Sequence, residues 1–320
     1  MSELLSGNDV REFNLLSMEN TMDFLQLDSI TTATIYNGSP PENLKSRVNA
    51  IAELNPWLVG KLLKKNKKVS LQYPCGAIPE ADFIVLDHLN FPAPSYNPVE
   101  HNPDFEQYFV EKGVKCLNKD KPLFRVIVAI LNAHQFVLFV SMSHAVADGS
   151  TYYNIYNMLS AEAPPRALVM ERDEACSLVH RSINREEMSF FGTAGFIMNA
   201  IGKILFHGKH HMAYCKVKPE WIEVQKEEYQ QRKEQTGQTG VKTGGGRGEG
   251  GEGGRLPPLP FISANDILTS AIFKALNADF GVMPVNYRNR VEGLTSDHCG
   301  TLVFLWLQNV VVERLSGYFV

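Results

Sequence analysis

A histidine stands four residues before an aspartate in Ser143-His144-Ala145-Val146-Ala147-Asp148-Gly149-Ser150, directly after the apolar stretch that begins at Gln135 and Phe136. The spacing alone is weak evidence, because these residue types meet by chance in a chain of this length. The setting strengthens it. A strand-like run delivers His144 to the end of a rigid element, Asp148-Gly149 reads as a turn, and Ser150 or Thr151 can cap a following helix. A neutral imidazole ordinarily titrates near about 6.5, so it can serve as a general base at neutral pH. In that role it would take a proton from an attacking hydroxyl or amine. The competing reading is a surface loop with an incidental histidine.

The elements that would position this loop follow from the hydrophobic pattern. Ile30 to Asn37 is rich in β-branched residues and ends at Asn37-Gly38, the pattern of a strand and turn. Pro40-Pro41-Glu42 opens a helix with Leu44, Val48, Ile51, Ala52 and Leu54 on its apolar side. Phe83 to Leu86 is a short strand, and Asp104 to Leu117 is expected to be a helix. Phe124 to Leu131 and Phe136 to Val140 are strands around a turn, and a helix over Tyr152 to Leu159 follows the His144 loop. After the Gly-rich run between Gly237 and Gly254, Ser263 is a good N-cap with Asp266 three residues on. Ile267, Leu268, Ala271, Ile272 and Ala275 then form one helical face.

These pieces together resemble the His-x-x-x-Asp-Gly acyltransferases of the chloramphenicol acetyltransferase-like superfamily, and within it the BAHD-like acyltransferases. The resemblance rests on the His144–Gly149 motif, Pro122-Leu123-Phe124-Arg125-Val126 before it, Asn55-Pro56-Trp57-Leu58, the Ser263-to-Ala275 helix, and Val285-Asn286-Tyr287-Arg288-Asn289-Arg290. It covers roughly residues 12–310. Gly300-Thr301 stands where the family often has Gly-Asn. Relatives of the condensation and wax-ester type usually carry a second histidine where this chain has Ser143.

The resemblance implies an α/β fold of two similar halves joined by a long crossover. The N-terminal half would span 1–225, a Gly-rich linker 226–260, and a partial C-terminal half 261–320. It implies His144 as general base. Asp148 and Gly149 would be structural motif residues, with Asp148 turned from the substrate and paired with Arg288 or Arg290. Acyl-CoA would be the cosubstrate and a small alcohol or amine the acceptor, with no permanently bound cofactor. The family's later Asp-Phe-Gly-Trp-Gly motif is absent, and the second half is expected to be truncated. Two alternatives stay open: a condensation- or wax-ester-type acyltransferase, and a non-catalytic remnant that binds a ligand or partner.

Composition bounds the rest. At 44% hydrophobic and 21% charged residues the chain can bury a large core. A net charge of -4 argues against a nucleic-acid partner. Five widely spaced cysteines, with no Cys-x-x-Cys, suggest reduced thiols in the cytoplasm, and no secretory signal is read at the start. Residues 190–206 are apolar but short and interrupted by Asn199 and Lys203. A buried helix is the expectation there and a peripheral membrane contact the alternative. His207, His210, His211 and Cys215 lack the spacing of a zinc site, so no metal is expected. A monomer is expected.

Overall fold

The computed structural model describes residues 10–16, 19–87, 107–171, 175, 177–178, 217–238, 262–275 and 281–308. The chain divides into two compact units. One comprises Met1–Phe206 with Pro284–Phe304, and the other His207–Met283 with Leu305–Val320. Residues 284–304, expected in a second half, thus group with the N-terminal residues.

The first unit is built on a four-stranded sheet of β2 (Ile30–Asn37), β7 (Gln135–Met142), β6 (Phe124–Asn132) and β5 (Asp82–Leu86), in that spatial order. β7 lies antiparallel to both β2 and β6, and β5 runs parallel to β6. Strand side chains alternate between faces. Val126, Val128, Leu138, Val140 and Met142 therefore meet α2 (Leu44–Leu54) and α4 (Gly149–Asn157) on one face. Ile127, Ala129, Val137 and Phe139 meet Tyr108 and Phe109 on the other. Both faces are covered, which explains why β6 and β7 read as near-continuous apolar runs.

α2 buries Leu44, Val48, Ile51 and Ala52 as its spacing predicts, but Leu54 is 45% exposed at its end. A second, three-stranded sheet orders β1 (Val10–Asn14), β4 (Lys68–Pro74) and β3 (Lys61–Lys65), all antiparallel. Its β3–β4 hairpin turns at Asn66 and Lys67, both with positive φ, as a two-residue hairpin loop requires.

The helix expected over 104–117 is not formed across 107–112, and only α3 (Gly113–Cys116) is helical; 104–106 lie outside the described residues. Tertiary bonds take the backbone groups instead. Val110 N donates to Ser141 Oγ at 2.9 Å, and Arg125 donates to the Tyr108 carbonyl at 3.0 Å.

The second unit contains α5 (Pro219–Gln238), so residues 226–238 of the expected linker are helical. Their run of Lys, Glu and Gln, all good helix formers, accounts for it. α6 (Ala264–Ala275) starts with the expected capping box: Asp266 N donates to Ser263 Oγ at 3.2 Å, and Ser263 N to Asp266 Oδ2 at 2.9 Å. β8 (Gly281–Asn286) and β9 (Val303–Gln308) pair with each other. The strand expected over 285–290 ends at Asn286. Tyr287 to Arg290 form a turn, closed by Arg290 N donating to the Tyr287 carbonyl at 3.1 Å.

Candidate active site

The strand β7 hands the chain to the His144 loop through Ser143, whose N–H donates to the Leu123 carbonyl at 2.8 Å. Ala145, Val146 and Ala147 are buried and fix the loop from below. Gly113 is needed opposite: a Cβ there would sit 2.9 Å from the Cβ of Ala145. The His144 ring packs edge-on against Phe24, with centroids 5.1 Å apart and planes at 83°. His144 as a whole is half-buried, yet its Nδ1 is buried and has no hydrogen-bond partner among the described residues. An unsatisfied buried nitrogen on an otherwise well-packed loop calls for a functional explanation.

Asp148 is the opposite case. It is the N-cap of α4, not Ser150 or Thr151 as the sequence suggested. Its Oδ1 accepts from Thr151 N at 2.8 Å and from Thr151 Oγ1 at 2.9 Å. Arg288 donates to both carboxylate oxygens, Nη1 to Oδ2 at 2.8 Å and Nη2 to Oδ1 at 3.2 Å. Leu302 N completes the set at 3.3 Å from Oδ2. Asp148 is 2% exposed and Arg288 4%, so this ion pair is shielded from screening.

Arg288 spends its remaining donors on the same locality. It reaches the His298 carbonyl at 2.6 Å, the Gly300 carbonyl at 2.8 Å and Asn286 Oδ1 at 3.0 Å. Of the two candidate arginines it is Arg288 that meets Asp148; Arg290 is exposed in the turn. Gly149 is the first residue of α4, is exposed, and has nothing within 4 Å of where a Cβ would lie. The glycine that its backbone requires is Gly300, at φ +98, which the left-handed region admits without a side-chain clash.

One residue of this network was considered from the sequence only as a helix cap, and another was not singled out. Thr151, fully buried, accepts from Arg288 Nη2 at 3.1 Å and from Gly300 N at 3.1 Å. Its position just inside a helix start was the available signal. Glu19, also fully buried, accepts from Leu16 N at 3.0 Å and from Thr301 N at 2.9 Å. Nothing in Ser17-Met18-Glu19-Asn20 distinguishes it from a surface glutamate. Thr301 Oγ1 is buried and unpartnered among the described residues.

A cavity of about 430 Å³ lies beside Ser141 on the same end of the sheet, lined among others by Ser29, Thr31, Phe109, Val110 and Lys115. His144 is not part of its lining. Among the described residues no cluster could hold a metal and no helix is long and apolar enough to cross a membrane. Residues 190–206, His207, His210, His211 and Cys215 lie outside the described residues.

No protein-family model matches the sequence, and no curated protein matches it. Solved structures do. F. graminearum TRI101 complexed with ethyl coenzyme A is similar at a TM-score of 0.50 and 11% identity, over 94% of this chain and 70% of that one. F. sporotrichioides TRI101 complexed with coenzyme A and T-2 aligns at a TM-score of 0.48 and 15% identity, over 93% of this chain and 66% of that one. The epimerization domain from the third module of tyrocidine synthetase B aligns at 0.48 and 12%, over 97% and 72%. The fold is thus a mixed α/β fold similar to that of TRI101. The chain spans about two thirds of the length of these proteins.

Proposed function

We propose that this chain carries the general-base half of an acyltransferase that moves an acyl group from acyl-CoA to an alcohol or amine. The observation that carries the reading is the contrast within one loop: among the described residues His144 keeps a buried ring nitrogen without a partner, while Asp148 and Arg288 hold the loop in place. A rigid frame around an uncommitted base is what proton transfer requires. In the reaction, His144 takes the proton from the acceptor O–H or N–H as that atom attacks the thioester carbonyl. The tetrahedral intermediate collapses, the C–S bond breaks, and the imidazolium returns the proton to the departing thiolate. Asp148, Gly149 and Arg288 act structurally, and Arg290 adds charge without joining the pair.

The coenzyme A bound in the TRI101 structures supports acyl-CoA as the donor, used as a cosubstrate with no permanent cofactor. The organisation we propose is an N-terminal half over 1–225, a crossover over 226–260, and residues 261–320 as part of a C-terminal half, acting as a monomer in the cytoplasm. Ser143 in place of a second histidine favours this reading over the condensation or wax-ester type.

The test is a thiol-release assay on the chain with acyl-CoA donors of graded length and mixed alcohol and amine acceptors. Saturable release that His144→Ala lowers by about 100- to 10,000-fold is expected. Release that His144→Ala leaves unchanged removes the general base. No release from a folded chain that still binds coenzyme A would favour the ligand-binding remnant.

A further inference from the structure

Nine lysines lie in two short segments, 61–68 and 112–121, of a chain whose net charge is -4. The segments adjoin through Asn118, whose N–H donates to the Leu62 carbonyl at 2.8 Å and whose Oδ1 accepts from Lys64 N at 2.8 Å. Glu12, Asp28, Glu111 and Asp120 pair with Lys65, Lys112, Lys121 and Lys61. Lys64, Lys67, Lys68, Lys115 and Lys119 have no ion pair among the described residues. Two exposed apolar side chains lie nearby: Met22, 44% exposed, whose sulfur is 3.9 Å from Lys64 Nζ, and Leu27, 42% exposed, next to Asp28, which pairs with Lys112.

Guarding an open strand edge explains part of this. β3 is an edge strand, and Lys61, Lys64 and Lys65 discourage pairing with another chain. It does not explain Lys67 in the turn, Lys68 on the central strand β4, or Lys115 and Lys119. Lys65 and Lys68 are moreover cross-strand partners, an arrangement of like charges that weakens a hairpin. An apposed anionic surface would relieve that repulsion.

We propose that this lysine-rich end of the β3–β4 hairpin, with the adjoining α3 segment, docks the chain onto an anionic phospholipid bilayer. Clusters of this size attract acidic headgroups, and exposed Met22 and Leu27 can enter the boundary between headgroups and acyl chains. The two segments contain no arginine and no aromatic residue, the side chains on which bases are read and stacked, which disfavours a nucleic acid. The inference is independent of the catalytic reading.

The experiment is co-sedimentation of the full chain with extruded phosphatidylcholine vesicles, with and without phosphatidylserine, at low and high salt. Binding only to the phosphatidylserine vesicles, weakened by salt, is expected. Each lysine near the surface contributes about fivefold in partitioning, so Lys67→Gln with Lys68→Gln should lose about 30-fold. Lys67→Arg with Lys68→Arg should retain binding, and Met22→Ser with Leu27→Ser should weaken it at unchanged charge. All four positions are at the surface, and thermal melts verify that each variant is folded. Equal binding to both vesicle types, no binding to either, indifference to the lysine substitutions, or preferential capture of duplex DNA or an acidic polypeptide would each overturn the proposal.

Discussion

The His144 loop and the N-terminus of α4 are four residues apart and are built on opposite terms. At Asp148 both carboxylate oxygens are engaged by Arg288, and Thr151 and Leu302 add further donors. At His144 a buried ring nitrogen meets no partner among the described residues, and the ring packs edge-on against Phe24. The difference separates two tasks. Satisfied polar networks fix geometry, because any movement breaks several bonds at once. An unsatisfied group retains its hydrogen-bonding capacity for something that arrives later. On the proposed reading, the loop confines its rigidity to Asp148 and leaves proton transfer to His144.

The largest expected effect tests the rigid side. Asp148→Ala or Arg288→Ala leaves a buried charge without its counter-ion, a loss of about 3–5 kcal/mol in unfolding free energy by chemical denaturation. Arg288→Lys should recover only part of it, since an ammonium cannot reproduce the two-pronged contact. A loss below about 1 kcal/mol would mean that the pair does not hold the loop. Next is Glu19→Gln, in which an amide replaces one of the two carboxylate oxygens that cap Leu16 and Thr301. A loss of about 1–3 kcal/mol is expected.

A pH titration probes the first turn of α4. Tyr152 is fully buried, and burial pushes its hydroxyl up to about 12 against an ordinary value of 10.0. The unfolded chain therefore gives up this proton first. Stability should be intact below about pH 10 and fall as pH rises from there through about 12. Melting temperatures measured from pH 9 upward should show this fall, and Tyr152→Phe should flatten it.

The smallest effects fall on the reactive side. His144→Ala should stay within about 1 kcal/mol of the parent, because the edge-on Phe24 contact it loses is worth about that much and no hydrogen bond to Nδ1 is broken. A large destabilisation would show that His144 belongs to the frame. Gly149→Ala should change stability by less than about 1 kcal/mol, since the site is open and φ is not left-handed. A loss of turnover in that stable variant would mean that the open space admits substrate.

Much of this arrangement was legible in the residues. β2 was delimited at Ile30 and Asn37 because β-branched residues ended at a turn dipeptide, and the Ser263–Asp266 capping box was readable from spacing alone. The choice between Arg288 and Arg290 was not. It depends on a turn in which Asn289 takes φ 58, which sends two neighbouring arginines to different environments. Glu19 was invisible because its partners, Leu16 N and Thr301 N, are backbone groups, which leave no trace in side-chain pattern. The helix expected at 104–117 failed for a related reason: Ser141 and Arg125, distant in sequence, claim its backbone polar groups.

The Asp148–Arg288 contact also sets a timetable for synthesis. The two residues are 140 positions apart, and a ribosome adds about 5–20 residues per second, so Asp148 emerges roughly 7–30 seconds before its arginine. Throughout that interval the nascent sheet carries an acid destined for burial but lacking its cation, and β6 and β7 are already available to pair. Folding of the first compact unit therefore waits on the ribosome, and the half-made protein is the state in which a chaperone has most to protect.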